Sequence, residues 1–409
     1  MALPHSLRSL PPEGAWPASG RPGGRPSPRT PSVSSRLPAV GTTIFTVMSA
    51  LATEHGAVNL GQGFPDFDCD PALIDAVDAA MRAGLNQYPP MTGLPLLRER
   101  IAAKAEALYG HRYDPATEVT VTAGATQAIL TAILAFVGPG DEAIVLDPCY
   151  DSYAPNIALA GGRAVHVPLM PGTFAPDFDR IAAALTAKTK VIVVNQPHNP
   201  SGTVWSAAEM LRLAELLRPT EVVVVSDEVY EHMVYDGEHQ SASRFPELAA
   251  RSVVVSSFGK TYHVTGWKVG YVTAPAALST EFRKVHQFNV FTVNTPMQHG
   301  LATYLAEPSH HLGLAAFYRA KRDLFRSFLA PTRLKLMPCT GTYFQCVDYS
   351  AASDLGDADF CRWLTAEVGV AAIPLSAFYE DGFDQHIARF CFAKKDETLA
   401  LAGDRLARL

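Results

Sequence analysis

Five short apolar runs in this chain each lead into side chains able to do chemistry. The run at 253–255 passes through Ser256, Ser257, Phe258 and Gly259 to Lys260, with a second lysine, Lys268, eight residues on. An amine forms a Schiff base with a carbonyl, and once freed it serves as a general base. The run at 222–225 ends in Ser226-Asp227-Glu228-Val229-Tyr230. A carboxylate at the mouth of an apolar strand is costly to bury unless it meets a cation or strong donors, so Asp227 calls for such a partner. The run at 191–194 leads to Asn195-Gln196-Pro197-His198-Asn199-Pro200-Ser201-Gly202, and that at 144–146 to Asp147-Pro148-Cys149-Tyr150. Finally, 119–121 is followed by Thr122-Ala123-Gly124-Ala125-Thr126 and the apolar helix predicted over 127–136. A small-residue turn entering a helix offers unpaired N–H groups and a positive dipole end to a phosphate. Each feature has a plainer reading alone: a glycine as punctuation, Tyr150 as a half-buried surface ring, Asn199-Pro200-Ser201-Gly202 as a turn, Lys260 as a solvated cation. Their conjunction, each after a separate strand, is hard to explain as packing.

The elements that must position these residues follow from the same pattern. Val- and Ile-rich runs separated by crossover-length segments predict a mostly parallel sheet covered by helices on both faces, an α/β fold. Open sheets of this kind bind ligands beyond the carboxyl ends of their strands. Beyond about residue 305 a charged helix over 315–329, a hairpin-like GTYFQCVDY and a final helix predict a smaller α+β unit. Residues 1–35 are rich in Pro, Gly, Arg and Ser and contain one acidic residue, Glu13, so they read as a disordered extension. Their prolines and glycines argue against the amphipathic helix of a transit peptide. The expected organisation is an arm with part of the small domain over 36–70, a large domain over 71–305 and the small domain over 306–409.

Composition bounds the function classes. The chain has 409 residues, 48% of them hydrophobic, and a formal net charge of -6. Its pI is near 6.1 and its mean hydropathy near zero. No basic footprint for nucleic acid or anionic lipid is present. The six cysteines are scattered without metal-ligand spacing, which suggests free thiols in a reducing compartment, the cytoplasm. No uninterrupted apolar stretch reaches the roughly 18 residues of a membrane span. Gly61-Gln62-Gly63 is followed by Phe64-Pro65-Asp66, so it lacks the third glycine of a dinucleotide fingerprint and has a proline where a helix should start. No Walker lysine motif, G-x-S-x-G elbow, H-E-x-x-H pair or metal-binding set stands in the sequence.

Taken in order, NLGQGFPDF, NQYPPMTG, VTAGATQA, PHNPSG, SDEVY, SSFGKTYHVTGWKVGY and ARFCFAKK resemble the class I/II aminotransferases, pyridoxal-phosphate enzymes of fold type I. The resemblance runs from about Leu37 to the end. With GTTIFT it leans to the branch holding methionine and kynurenine aminotransferases. It implies a mostly parallel seven-stranded sheet, the cofactor pyridoxal 5′-phosphate (PLP) joined to Lys260, and amino transfer from an L-amino acid to a 2-oxo acid. By the same resemblance Asp227 keeps the ring nitrogen protonated, Asn199 and Tyr230 bind the ring 3-oxygen, and Tyr150 stacks on the ring. Ala125, Thr126, Ser257 and Lys268 match a phosphate cup, and Tyr88 a residue lent by the partner subunit of a homodimer. Lys268 departs from the arginine that many relatives carry. Arg389 matches the clamp for the substrate α-carboxylate, with the Gly63 backbone beside it. Phe45, Tyr88, His263 and Phe378 fall around the substrate side chain, which implies methionine-like or aromatic substrates. A C–S β-lyase shares the lysine, aspartate and arginine, and differs in needing no amino acceptor. PLP-sensing transcription regulators carry a DNA-binding domain ahead of such a unit, where this chain has about 35 residues.

Overall fold

The computed structural model describes residues 30–409, and the extension expected over 1–35 lies almost wholly outside them. Residues Leu37–Leu409 form one compact unit. Its strands are β1 (Val58–Asn59), β2 (Val119–Thr122), β3 (Glu142–Asp147), β4 (Arg163–Pro168), β5 (Thr189–Asn195), β6 (Val223–Asp227), β7 (Ser252–Ser257), β8 (Gly270–Thr273), β9 (Lys335–Leu336), β10 (Phe344–Asp348), β11 (Val370–Ala371), β12 (Ile373–Pro374) and β13 (Ile387–Cys391).

Seven of them form one sheet in the order β2-β8-β7-β6-β5-β3-β4. Only β8 runs against its neighbours within that sheet. The strands β2, β3, β5, β6 and β7 therefore deliver their carboxyl ends to one edge. Register aligns those ends: Asn195 lies opposite Asp227, and Thr122 and Ser257 both lie opposite Gly270. The central strands are β-branched throughout because helices cover both faces, leaving Val193, Val224, Val225, Val253 and Val255 almost without solvent contact. Strand β4, at the sheet edge, carries Arg163 and His166 among its apolar residues, and an edge tolerates such charges. Among the described residues no helix is long and apolar enough to cross a membrane.

A second, four-stranded antiparallel sheet has the order β12-β13-β10-β9. The GTYFQCVDY segment supplies β10 but does not fold back on itself as a hairpin. Its partners are the distant β13 and the two-residue β9. On β13, Arg389 stands between Cys346 of β10 and Ile373 of β12. The short β1 pairs in parallel with β11, tying the region around residue 58 to that around residue 370.

Close helix contact fixes the frame at the outer side of β2. The helix Pro71–Arg82 lies on the helix Thr295–Tyr304, and a β-carbon added at Gly300 would stand 2.3 Å from Cγ2 of Val77 and 3.0 Å from its backbone nitrogen. Alanine would gain ~1 kcal/mol in helix propensity. Overpacking costs ~1–3 kcal/mol, and here it acts partly on backbone that cannot swing aside. We therefore expect Gly300→Ala to lower stability, read as an earlier urea-unfolding midpoint; a midpoint at or above that of the parent protein would contradict the packing described.

Candidate active site

The carboxyl edge of the large sheet opens into a cavity of about 310 Å³. It gathers twelve of the residues singled out in the sequence: Phe45, Gly63, Ala125, Thr126, Tyr150, Asn199, Asp227, Tyr230, Ser257, Lys260, Lys268 and Arg389. Beyond the strands' shared direction, local ties hold the loops in place. The Cys149 amide donates to the Phe378 carbonyl (2.8 Å) and the Glu380 amide to Asp147 Oδ2 (3.1 Å), which fixes the turn that carries Tyr150.

One corner is built for an anion. The helix Gly124–Phe136 starts without a side-chain cap, so its first N–H groups are left for a ligand. Gly124 has φ +79°, and Lys268, itself at φ +55°, brings Nζ to 3.4 Å from where a Gly124 β-carbon would stand. Gly270 admits this approach, since a β-carbon there would lie 2.6 Å from the Ser256 carbonyl and 3.2 Å from the Ala125 nitrogen. Ser257, at the end of β7, adds a hydroxyl at the same edge.

Asp227 ends β6 at 4% exposure. Burial raises its pKa to about 6, against the pull of a Tyr153 hydroxyl donating to Oδ2 (2.6 Å), the Val229 amide (3.4 Å) and the nearby charge of Lys260. Asn195 braces the same turn by donating to the Asp227 carbonyl (2.9 Å) and accepting from the Asn199 amide (2.8 Å). Lys260 lies on the short helix Phe258–Thr261. Desolvation lowers its pKa to about 8, with the positive charges of Lys268 and Arg389 acting in the same direction and Cys391 and Asp227 opposing. Its Nζ donates to the Tyr343 hydroxyl (2.9 Å) and the Gly63 carbonyl (3.2 Å) and lies 5.6 Å from the Tyr230 ring centre. Burial pushes the Tyr230 phenol well above its ordinary range.

Arg389 is 1% exposed. It donates to Asn199 Oδ1 (2.6 Å) and the Gly61 carbonyl (3.2 Å), while its Nε has no partner. The guanidinium lies 3.9 Å from the centre of the Phe344 ring, 4.9 Å from that of Phe378 and 5.4 Å from that of Phe45. A planar cation held by rings, with a free N–H, suits a carboxylate.

Three expected residues stand outside the cavity lining. Tyr88 is 82% exposed and packs edge-on against Phe291. His263 turns away from the cavity at φ +59° into a cluster with Phe67, Phe317 and Tyr318, where burial lowers its pKa to about 4. Phe378 lies behind Arg389 against Phe45. Sequence reasoning passed over Tyr153, Asn195, Tyr343, Phe344 and Lys394. Lys394 donates to the carbonyls of Phe64 (2.7 Å) and Gln62 (3.4 Å) and so clamps the loop around Gly63. Tyr153 had a signal in its place three residues after Tyr150, and Tyr343 in its place inside GTYFQCVDY. Only the fold brings either to the site.

The sheet and cavity define an α/β enzyme with a buried lysine, a buried carboxylate and an anion corner at one sheet edge. The chain belongs to the class I and II aminotransferases, whose family model matches residues 55–406. It is 53% identical over 377 residues to the methionine aminotransferase of Escherichia coli, covering 92% of this chain and 98% of that one. The crystal structure of that E. coli enzyme superposes with a TM-score of 0.92, over 93% of this chain and all of the other. Human kynurenine–oxoglutarate transaminase 1 is 35% identical over 411 residues, 91% of this chain and 97% of its own.

The Tyr153 bond should be visible in the titration of Asp227. Tyr153→Phe removes a donor that favours the carboxylate, so in ligand-free protein the Asp227 carboxyl should stay protonated to a pH above the present value of about 6. Infrared difference spectra of the carboxyl stretch across pH 4–9 measure this. An unmoved titration would mean that the phenol does not hold the charge.

Proposed function

We propose that this aminotransferase uses pyridoxal 5′-phosphate to move the amino group of an uncharged, methionine-like or aromatic L-amino acid to a 2-oxo acid. The observation that carries the reading is Lys260, with a pKa lowered to about 8, in one cavity with the buried Asp227 and the uncapped start of the helix Gly124–Phe136. The donor set fits the cofactor. Uncapped amides at Ala125 and Thr126, the Ser257 hydroxyl and Lys268 suit a phosphate, with Lys268 acting as a point charge rather than a bidentate fork. Asp227 suits a protonated ring nitrogen, Asn199 and Tyr230 the ring 3-oxygen, and Tyr150 the ring face.

Bound there, the cofactor supplies an aldehyde that accepts the amino group and a conjugated ring that takes up the electron pair left at the substrate Cα. With its amine free, Lys260 would act as the general base that takes the proton from the substrate Cα and would deliver it to the carbon that has accepted the amino group. A pKa of about 8 leaves part of this amine neutral near neutral pH, as a base requires. Asp227, with a pKa of about 6, is mostly ionised at pH 7 and keeps the ring nitrogen protonated. Arg389 holds the α-carboxylate with the Gly63 backbone beside it, and rings of Phe45, Phe64 and Phe344 wall the cavity. Among the described residues the cations on that wall are Lys260, Lys268 and Arg389, each with a role toward the cofactor or the α-carboxylate, so none of them is left for an acidic substrate side chain. The name of the E. coli relative, methionine aminotransferase, agrees with an apolar, flexible side chain.

A homodimer completing the cofactor site with Tyr88 belongs to the same reading. The exposed Tyr88 packs edge-on against Phe291, an aromatic pair at the surface suited to a second copy. The division into an arm over 36–70, a large domain over 71–305 and a small domain over 306–409 is likewise proposed, supported by the two separate sheets. The six free thiols agree with a reducing, cytoplasmic setting.

Two measurements test this. Lys260→Ala should keep the fold and lose transamination, and borohydride reduction of the parent protein should lock the cofactor onto the Lys260 peptide; near-parental turnover by the variant would sink the assignment. With one fixed 2-oxo acid, kcat/KM for methionine should exceed that for aspartate by about a hundredfold, or ~2.7 kcal/mol. Aspartate as the best donor would overturn the apolar-pocket reading while leaving the cofactor assignment standing.

A further inference from the structure

We propose that Tyr343 is the positioning residue that aims the free amine of Lys260 at the substrate Cα. The proposal rests on the reading of Lys260 as the base. Lys260 Nζ donates to the Tyr343 hydroxyl (2.9 Å) and to the Gly63 carbonyl (3.2 Å), and the Tyr343 hydroxyl donates in turn to that carbonyl (2.5 Å). The three polar groups form a closed triangle, and the phenol is fully buried. A neutral primary amine has two N–H bonds and one lone pair. With both N–H bonds committed to Tyr343 and Gly63, the lone pair is the one valence left to face the cavity, where a Cα–H bond can be broken. The phenol can accept from Lys260 while its own proton goes to the Gly63 carbonyl, and its oxygen also meets the Tyr230 phenol. Tyr343 thus sets the direction of the base, and also links it to the loop whose flanking carbonyls Lys394 holds.

The plain alternative is that Tyr343 only fastens that loop to the interior. The two differ in what they do to Lys260. An acceptor stabilises the ammonium form more than the amine, because hydrogen bonds to charged groups are stronger than neutral ones. The charged and titratable groups facing Lys260 are Asp227, Lys268, Arg389 and Cys391, together with the phenols of Tyr230 and Tyr343, and the substitution leaves all but the last in place.

The test uses Tyr343→Phe, which keeps the ring packing and leaves the Gly63 carbonyl with Lys260 as a donor. Holoenzyme given methionine without a 2-oxo acid frees Lys260, and a small amine-reactive electrophile applied from pH 6 to 10 reads its titration by peptide mass spectrometry. The parent protein sets the reference midpoint. In the variant it should fall by about half to one unit. At saturating substrate kcat should drop about tenfold with KM within about twofold, and the isotope effect with 2-deuterated methionine should rise as proton transfer becomes more limiting. A loss of stability or a raised KM with an unmoved midpoint and isotope effect would reduce Tyr343 to a fastener and overturn the proposal. Lys260→Ala run alongside separates the two levels, since activity surviving there would remove the base itself, whatever Tyr343 does.

Discussion

Asp227 sits at the buried end of β6, where desolvation drives its carboxyl toward the neutral form, and its surroundings are arranged against that drive. Three carboxylates occur within five positions here, at 227, 228 and 231, and all three are buried. Glu231 is neutralised by Lys104 at 2.7 Å, with the hydroxyls of Tyr109 and Tyr271 also bonded to it, and its pKa is held well below the usual range. Glu228 takes His239 (2.7 Å), the Ser226 hydroxyl (2.7 Å) and the Ala242 amide (2.9 Å). Asp227 receives only neutral donors, a phenol and an amide. Lys104 is committed to Glu231, and the cation nearest Asp227 is Lys260 on the cavity side. Removing Lys104 would leave Glu231 a buried unpaired charge and cost stability, whereas Asp227 already stands without a full counter-charge bonded to it.

Arg389 applies the same logic from the other sheet. It projects from β13, its fork held by Asn199 from the loop after β5 and by the Gly61 carbonyl, and its faces are covered by aromatic rings. Burial lowers its pKa, so a fully satisfied guanidinium would be the more stable arrangement. The unpartnered Nε is the departure, and it lies on the residue that bridges the two sheets. The cavity is therefore made jointly by the carboxyl edge of one sheet and a strand of the other, with the loop around Gly63 between them. A small displacement of either sheet would move the arginine relative to the lysine and spoil both at once.

Much of this was legible in the sequence for a physical reason. Apolar β-branched runs can be told from their surroundings, and a parallel sheet sends their ends to one edge, so Lys260, Asp227, Asn199 and Tyr150 could be grouped before any coordinates. Strand β4 was hidden because an edge position permits Arg163 and His166. Strand β8 was hidden because GYVT is short, begins with a glycine and runs antiparallel. The hairpin expected at GTYFQCVDY failed because alternation marks a strand but not its partner, and β10 pairs with residues some forty positions on. His263 lies two residues from a cavity-lining neighbour yet faces elsewhere, since a left-handed backbone reverses its side chain. Tyr153 and Tyr343 left only a positional signal for a different cause: a buried phenol in an apolar setting is read as packing until its oxygen is seen to meet Asp227 or Lys260.

Charge balance joins these parts into one constraint on what the cavity holds. With Lys260 neutral, its lining carries Lys268 and Arg389 against Asp227, and the uncapped helix start adds about half a positive charge. A bound phosphate brings about -1.5 to -2 at neutral pH and a substrate α-carboxylate one more negative charge, while a protonated ring nitrogen returns one positive. The sum then lies near neutrality, slightly negative. A second carboxylate on the substrate side chain would carry it further beside the rings of Phe45, Phe64 and Phe344, where among the described residues of the lining Lys260, Lys268 and Arg389 are the cations. On the proposed reading, discrimination against acidic substrates would follow from the charges that the cofactor and α-carboxylate already use, with no separate device to repel them.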